Sequence, residues 1–338
     1  MNKNFWKDLA AKGPIVALAP MDGYTDGPYR LTVRKTAPST VVFSEFYSAD
    51  GLVRSKHLAK EVLPHDEIER PVVFQIFGKD PEMFREAAKM IEAYGATGVD
   101  INMGCPAKKV VKSGHGSSLM INRDTAFRIV EEMAKAVKIP VSVKTRLGWA
   151  DDSLLVEFCQ GLQNAGADLI TVHGRTYQQA FSGKADFTGI YELKKHLSIP
   201  VIANGDITDY DDGISKLGNL DGFMIGRASF GNPWCFLPGK YRPTLREILA
   251  TMDGHAELLI EKKGRKGALE ARKHLVEYLH GFPGVKTYRT RLVSVENLED
   301  IRTILSDISA EWPDLLDKIP DGSAIPRKFE GIENCPVD

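Results

Sequence analysis

Short apolar runs rich in β-branched residues recur along roughly the first 230 residues of the chain, and amphipathic stretches separate most of them. Each run is almost continuously hydrophobic, which is typical of strands covered on both faces. Proline precedes several runs, as is common where a strand begins. We therefore predict eight strands, at Ile15–Ala19, Thr40–Phe43, Val72–Phe77, Gly98–Asn102, Val141–Thr145, Asp168–His173, Val201–Asn204 and Gly222–Ile225.

The stretches between these runs have the pattern of surface helices. Asp80 is a helix N-cap residue followed by Pro81, and the apolar positions from there to Tyr94 fall on one helical face. A second helix of this kind is predicted between Asn122 and Val137. Eight β-then-α units of this length add up to an α/β fold, a (β/α)8 barrel over residues 1–239. A doubly wound open sheet is the alternative, because it also places polar residues after its strands.

The pattern changes near Lys240, where the β-branched runs stop and helical periodicity continues. Residues 240–292 carry twelve Lys and Arg against six Asp and Glu, whereas residues 293–338 carry four against eleven. A basic helical block is a candidate contact surface for a polyanion, and a solvated helix surface explains it equally well. We predict a small helical domain over residues 240–338 that ends in an irregular acidic tail. Its predicted helices are Thr244–Lys262, Gly267–His280, Lys286–Ser294 and Leu298–Ser309.

The composition excludes several classes of protein. A chain of 338 residues that is 43% hydrophobic and 26% charged can bury a large core, which excludes disordered and fibrous classes. No apolar run is long enough for a membrane span or a secretion signal. The four cysteines lack zinc-finger or CxxC spacing, so we expect a reducing cytoplasm and no metal site. Because the net charge is −1, any nucleic-acid binding must come from local patches.

Two glycine-containing turns follow the last two predicted strands. Asn204-Gly205-Asp206 and Gly226-Arg227 place small residues where backbone N–H groups can approach a phosphate closely. The Arg227 guanidinium adds positive charge. Phosphate binding after strands 7 and 8 recurs in barrels of this kind. Either turn alone could be only a tight connection, but the two together favour a phosphate site.

Three polar side chains on other strands point to the same end of the barrel. Lys144 lies within an apolar strand and must point into the barrel mouth, unless a structural ion pair holds it. A cation there can stabilise negative charge that forms on an electron-accepting ring. Gln75 and His173 offer an amide and an imidazole to such a ring, although each alone is more often structural. Together with the phosphate turns, they predict a site for flavin mononucleotide (FMN).

Cys105 is the candidate reactive thiol. It follows the end of the fourth predicted strand, in a Gly-Cys-Pro turn beside a loop rich in small residues and lysines. Neighbouring lysines stabilise a thiolate and attract phosphates. A thiol over a flavin can act as a general acid or as a nucleophile. We interpret Cys159, Cys235 and Cys335 as structural.

Six stretches of the sequence resemble the dihydrouridine synthase family of flavin-dependent enzymes that reduce RNA. They occur in the family's order, one per β/α unit, over residues 15 to about 235. The block Asn102–Pro106 is highly specific, whereas the turns at Asn204–Asp206 and Gly226-Arg227 are shared with other flavin barrels. The matching stretches are Ala19–Asp26, Asp100–Val110, Val143–Trp149, Val172–Thr176, Ile202–Ile207 and Met224–Arg227.

The resemblance implies cofactors, substrate and residue roles. NADPH, or alternatively NADH, would reduce the flavin, which would pass hydride from N5 to C6 of a uridine flipped out of RNA. Cys105 would protonate C5 as general acid, and Asn102 and Arg175 would hold the base. The product would be 5,6-dihydrouridine, with transfer RNA as the expected substrate. The implied FMN contacts are Pro20, Met21, Asp22, Gln75, Lys144 and His173, and the implied phosphate contacts are Asn204, Gly205, Asp206, Gly226 and Arg227.

The basic helical block is similar in place and size to the family's RNA-docking helical domain. Charge reversal in this block is then expected to abolish activity only if the substrate is RNA. Two alternatives stay open: a flavin barrel that acts on a free pyrimidine or enone, and a catalytically silent RNA-binding protein. We expect a cytoplasmic protein with no membrane association; the oligomeric state is open, with a monomer as the expectation. The four positions selected for charge reversal are Lys262, Lys263, Lys266 and Arg272.

Overall fold

Eight parallel strands form a closed barrel in the computed structural model of this chain, which describes residues 3–320. Each strand pairs with its sequence neighbours, and the first pairs with the eighth, so the (β/α)8 prediction is confirmed and the open sheet is excluded. The predicted irregular tail and Cys335 lie beyond the described residues. The strands are β1 Ile15–Leu18, β2 Val41–Ser48, β3 Val72–Phe77, β4 Gly98–Asn102, β5 Val141–Arg146, β6 Leu169–His173, β7 Val201–Asn204 and β8 Gly222–Ile225.

Ten helices precede Lys240 in the described chain, and most lie between successive strands. The helix predicted after Asp80 begins at Pro81, and the Asp80 carboxylate accepts a hydrogen bond from the Glu82 N–H as an N-cap. These helices are α1 Phe5–Ala10, α2 Gly27–Thr36, α3 Ala49–Arg54, α4 Lys56–Val62, α5 Pro81–Ala93, α6 Lys108–Lys112, α7 Arg123–Ala136, α8 Leu155–Asn164, α9 Thr188–His196 and α10 Tyr210–Ser215. Short 3₁₀ turns occupy Glu67–Glu69, Gly116–Met120, Arg227–Ser229, Pro233–Phe236 and Pro313–Leu315.

The second strand is longer than its apolar run predicts. β2 continues to Ser48, and its register shifts between Phe43 and Phe46, which marks a bulge. The first four residues of β2 are buried and the last four are half-buried. The apolar criterion therefore identified only the buried half of the strand. As a result Glu45, expected to follow the strand, lies within it.

The amino end of the barrel is closed by α1. Trp6 of this helix is buried and stacks on Phe43 of β2 at a centroid distance of 6.3 Å. It joins a cluster of inward-facing residues that includes Ile15 and Val41, at the starts of β1 and β2. The opposite end, where the strands terminate, is therefore the end at which polar side chains can gather.

Between Lys240 and residue 320, the chain forms four helices, as predicted, which pack around an apolar core of their own. The longest begins at the N-cap Thr244, whose side chain and that of Glu247 form a capping box. Among the described residues, no helix is both long and apolar enough to span a bilayer. The four helices are α11 Leu245–Lys263, α12 Arg265–Leu275, α13 Val285–Leu292 and α14 Leu298–Glu311.

A polar contact region, called the joint below, connects these helices to the barrel. Lys263 at the end of α11 pairs with Asp26, the buried N-cap of α2, at 2.5 Å. His255 and His274 stack against Tyr29 of α2 from the helical side. At Gly231, after β8, an added Cβ would lie 2.0 Å from the Glu277 carbonyl oxygen, so glycine permits this close approach.

Three of the four residues selected for charge reversal also belong to the joint. Lys262 pairs with Asp66, and Lys266 lies 3.9 Å from Glu61, in addition to the Lys263–Asp26 pair. Reversing these charges would weaken the attachment of the helices to the barrel as well as any contact with RNA. Charge reversal at these three lysines would therefore not report on RNA binding alone.

Candidate active site

The parallel register brings polar side chains from neighbouring strands together inside the barrel. Gln75 of β3 pairs with Asp100 of β4, and Asn102 of β4 pairs with Lys144 of β5. His173 of β6 continues the row, next to Asn204 of β7. Because each residue sits near the carboxyl end of its strand, the strands deliver the predicted residues to one end of the barrel.

Cys105 lies in a turn held by hydrogen bonds from both sides. The side-chain oxygen of Asn102 accepts hydrogen bonds from the backbone N–H groups of Gly104 and Cys105, at 3.1 and 2.9 Å. Ser117 donates its hydroxyl and its N–H to the Cys105 carbonyl oxygen. The Arg146 guanidinium donates to the Gly104 carbonyl at 2.7 Å. Cys105 is half-buried and forms no disulfide with another described cysteine, so a thiol is held at the site by a fixed backbone.

Asn102 is therefore engaged in building the turn. Its amide nitrogen donates to the Gln75 side-chain oxygen at 2.8 Å, while its oxygen caps the turn. Gln75 in turn donates to Asp100 at 2.7 Å, and both of these side chains are fully buried. The sequence analysis did not single out Asp100. Its position two residues before Asn102 on the same strand, hence on the same face, was the available signal.

Lys144 is half-buried and donates to the side-chain oxygen of Asn204 at 3.0 Å. Burial, followed by the charge of Arg146, lowers the pKa of Lys144 to about 8, against the opposing charges of Asp100 and Cys105. Burial also lowers the pKa of Arg146 to about 10, again opposed by Cys105. The thiol, the amine and the guanidinium thus lie within electrostatic range of one another.

His173 lies among four cations. Burial, followed by the charges of these neighbours, lowers its pKa well below the usual value, so the imidazole is neutral at physiological pH. Its Nδ1 atom is buried and has no hydrogen-bond partner among the described residues. On the other side of the ring, a Cβ added to Gly205 would lie 3.2 Å from Nε2. The cations are Arg146, Lys144, Arg175 and Arg227.

The turns predicted to hold a phosphate are linked by one carboxylate. Asp206 accepts a hydrogen bond from Arg175 at 2.6 Å and lies 3.9 Å from Arg227. Arg175 also donates to the carbonyl oxygens of Ser182 and Gly183, and it is almost completely buried. Its main contacts are thus within the protein, although its Nη1 atom has no hydrogen-bond partner within residues 3–320. Gly226 directly follows β8 and is the N-cap of the 3₁₀ turn Arg227–Ser229.

The loop after β1 lies where the barrel meets the C-terminal helices. Pro20, Met21 and Asp22 are all half-buried. A Cβ added to Gly226 would meet the Met21 sulfur at 3.7 Å, which places this loop beside the turn after β8. Burial raises the pKa of the Asp22 carboxyl, while Lys273 of α12 opposes the shift. The helices therefore contribute a cation to the edge of the site.

Comparisons with a family model and with individual proteins agree on one family. The family model described as "Dihydrouridine synthase (Dus)" matches residues 17–311. The chain is 40% identical over 302 residues to "Probable tRNA-dihydrouridine synthase 1" of Synechocystis sp., which covers 86% of this chain and 85% of that protein. It is 36% identical over 287 residues to "tRNA-dihydrouridine synthase B" of Pasteurella multocida, covering 81% and 86% of the two chains.

Solved structures support the barrel fold. A 2-naphthoyl-CoA reductase complex superposes with a TM-score of 0.54 at 14% identity, covering 65% of this chain and 48% of that one. A histamine dehydrogenase from Rhizobium sp. 4-9 gives a TM-score of 0.50 at 15% identity, covering 72% of this chain and 48% of that one. At such low identity the likeness extends to the fold alone.

Proposed function

Because the chain belongs to the dihydrouridine synthase family, we propose that it reduces the 5,6-double bond of a uridine in transfer RNA, with FMN as bound cofactor and NADPH as reductant. The observation that carries this proposal is the placement of Cys105. A half-buried thiol in a fixed turn lies within electrostatic range of Lys144 and Arg146, at the end of the barrel where the strands terminate.

Two observations support a fit between this site and a flavin. The Nδ1 atom of His173 is a buried polar atom without a partner in the described part of the chain, and a ring heteroatom of a ligand would satisfy it. Glycine at position 205 keeps free the space that a Cβ would fill beside the imidazole. The residues that would hold FMN are Pro20, Met21, Asp22, Gln75, Lys144 and His173, and those that would hold its phosphate are Asn204, Gly205, Asp206, Gly226 and Arg227.

The residues of this chain would contribute a positive charge and a proton to the reaction. When bound, the flavin supplies the hydride that is added to C6 of the uracil. Cys105 would give its thiol proton to C5 and then take a proton from solvent, which completes the addition of two hydrogens across the double bond. Lys144 would stabilise negative charge on the ring beside it. Asn102 and Arg175 would hold the base, Arg175 through its Nη1 atom.

We assign the two parts of the chain different tasks. Residues 1–239 would hold the cofactor and the flipped uridine, and residues 240–338 would dock the rest of the RNA. Within the described residues, Lys286 and Arg289 of α13 make no ion pair, and they lie three residues apart, on one side of that helix. Charge reversal at these two positions would therefore affect RNA binding without breaking an ion pair between the helices and the barrel.

The first experiment is an absorbance titration of the purified protein. We expect flavin bands that bleach when NADPH is added anaerobically and return only when unmodified transfer RNA follows. Bands that bleach but are indifferent to RNA would favour the alternative, a flavin enzyme that acts on a free pyrimidine or enone. A protein that binds RNA but cannot be reconstituted with FMN would be the silent RNA-binding alternative.

Two variants separate the steps of this titration. Cys105→Ala should keep the flavin bands and their bleaching by NADPH, while the return of the bands with RNA slows by about 10²- to 10⁴-fold, the usual contribution of a general acid. Lys286→Glu combined with Arg289→Glu should weaken RNA binding and flatten its dependence on salt, with NADPH oxidation unchanged. Normal turnover by Cys105→Ala would refute the role of the thiol.

A further inference from the structure

A continuous series of hydrogen bonds connects the barrel interior to the Cys105 turn. Ser142 of β5 donates to one Asp100 carboxylate oxygen at 2.6 Å, and Gln75 donates to the other at 2.7 Å. Gln75 then accepts from Asn102 at 2.8 Å. Asn102 finally accepts from the N–H groups of Gly104 and Cys105. Asp100 is fully buried, and every donor in the series points toward it.

The direction of this series depends on the carboxylate. A side-chain amide can present either its oxygen or its nitrogen to a neighbour, and only the partners decide which. An ionised carboxylate can only accept, so Gln75 must turn its nitrogen toward Asp100 and its oxygen toward Asn102. Asn102 must then turn its nitrogen toward Gln75, which leaves its oxygen for the two backbone N–H groups. With the opposite orientation, an NH₂ group would face two N–H donors, and the turn would lose its cap.

We propose that Asp100 is a positioning residue that sets the orientation of the Gln75 and Asn102 amides and thereby holds the Cys105 turn. Its significance for catalysis rests on the proposed function of Cys105, whereas its effect on the turn does not. Burial raises the pKa of Asp100 to about 6, against opposing hydrogen bonds from Ser142 and Gln75, so the group is mainly ionised at neutral pH. The carboxylate is therefore available as an obligate acceptor under the conditions in which the enzyme would work.

The isosteric substitution Asp100→Asn tests this role. The amide introduced at position 100 could donate to Gln75 and reverse both of the following amides, which would release the turn. We expect the hydrogen exchange of the Gly104 and Cys105 amides, measured on the purified full-length protein at neutral pH, to accelerate at least tenfold. The Met103 amide is the internal control, because it donates to the Lys144 carbonyl at 2.8 Å and not to Asn102. Its exchange should change less than threefold.

A double substitution distinguishes orientation from general damage. When Asp100→Asn is combined with Asn102→Asp, the amide at position 100 can donate to the Gln75 oxygen, and the Gln75 nitrogen can donate to the carboxylate at position 102. The other oxygen of that carboxylate still accepts from both backbone N–H groups. Exchange of the Gly104 and Cys105 amides should return to within threefold of wild type. Unchanged exchange in Asp100→Asn, or acceleration that the second substitution fails to reverse, would overturn the proposal.

This experiment is independent of the enzyme assay. Amide exchange needs neither NADPH nor RNA, so a negative absorbance titration would reject the proposed function and leave the role of Asp100 in the turn standing. Conversely, the titration can succeed while Asp100→Asn leaves amide exchange unchanged. In that case the proposed function stands and the positioning role is rejected.

Discussion

Replacing Lys263 with alanine should destabilise the protein much more than the same change at its neighbour Lys262. Both lysines pair with carboxylates of the barrel, at 2.5 Å to Asp26 and 3.1 Å to Asp66. They differ in exposure, because the Asp26 side chain is 6% exposed, whereas Lys262 and Asp66 are each more than 40% exposed. Lys263 is 26% exposed and also pairs with Glu270 of α12, so the two substitutions compare a lysine that neutralises a buried carboxylate with one that pairs only with an exposed carboxylate.

The expected loss of folding stability depends on whether the carboxylate that loses its lysine is buried or exposed. An exposed pair contributes about 0–1 kcal/mol, which bounds Lys262→Ala. Removing one partner of a buried pair costs about 3–5 kcal/mol, because the remaining charge has no compensation. Asp26 can escape that cost by taking up a proton, which at pH 7 requires about 4 kcal/mol for a carboxyl with the ordinary pKa of 3.8. We therefore expect about 3–4 kcal/mol for Lys263→Ala.

The pH dependence has a definite sign. Burial acts to raise the pKa of Asp26, but His274 and Lys263 outweigh it, and the net pKa lies below the ordinary value. A carboxyl of this kind contributes stability above its unfolded pKa and loses it as the pH falls through the folded one. The difference between Lys263→Ala and wild type should therefore be largest near pH 7 and shrink toward pH 4, where Asp26 in the variant can be protonated more easily.

Thermal unfolding monitored by calorimetry measures both quantities. At about 2–4 °C per kcal/mol for a large domain, Lys263→Ala should lower Tm by roughly 6–16 °C at pH 7, and Lys262→Ala by less than about 4 °C. Equal shifts for the two variants, or a Lys263→Ala penalty that grows as the pH falls, would contradict the assignment of Lys263–Asp26 as the buried ion pair of the joint.

Two further predictions concern the candidate cofactor site. Gly205→Ala should reduce the flavin-to-protein absorbance ratio at least tenfold, because φ is +116° and the added Cβ would lie 2.8 Å from that of Ala185. Gly239→Ala, with φ +79° and no heavy atom within 4 Å, is the matched control and should retain flavin. Because the pKa of Lys144 is about 8, the rate of flavin reduction by NADPH should fall from pH 7 to pH 9, and Lys144→Met should remove that dependence.

The fold could be predicted because strands covered on both faces are apolar along their whole length. That pattern identified all eight strands within a few residues, except for β2, whose half-buried continuation to Ser48 contains polar residues. The four C-terminal helices were equally clear from periodicity and from caps such as Thr244. Chain order then determined the barrel, because each strand pairs with the next.

The sequence predicted the candidate site residues at the ends of the strands, but not those that lie deeper in the barrel. Reading the residues where strands end identified Cys105, Lys144 and His173, since a barrel gathers those positions at one end. It did not single out Asp100 or Ser142, which lie one layer deeper, two residues before Asn102 of β4 and Lys144 of β5 on the same faces. No sequence motif marks such a pair. It can be recognised only in the structure, where the strand register places the Ser142 hydroxyl 2.6 Å from the Asp100 carboxylate.

The basic block shows why net charge is a weak guide to a binding surface. Counting charges cannot distinguish a lysine that faces solvent from one that pairs with a carboxylate far away in sequence, as Lys262 and Lys263 do. The charge at the barrel mouth gives a stronger argument. There, burial and four converging cations keep His173 neutral, whereas Asp206 is the one carboxylate that pairs with two of those cations among the described residues. Bringing like charges this close costs free energy, and a bound anion lowers that cost. A flavin phosphate and a ring that becomes negative on reduction both meet that requirement, so the same repulsion would favour binding of the reduced flavin.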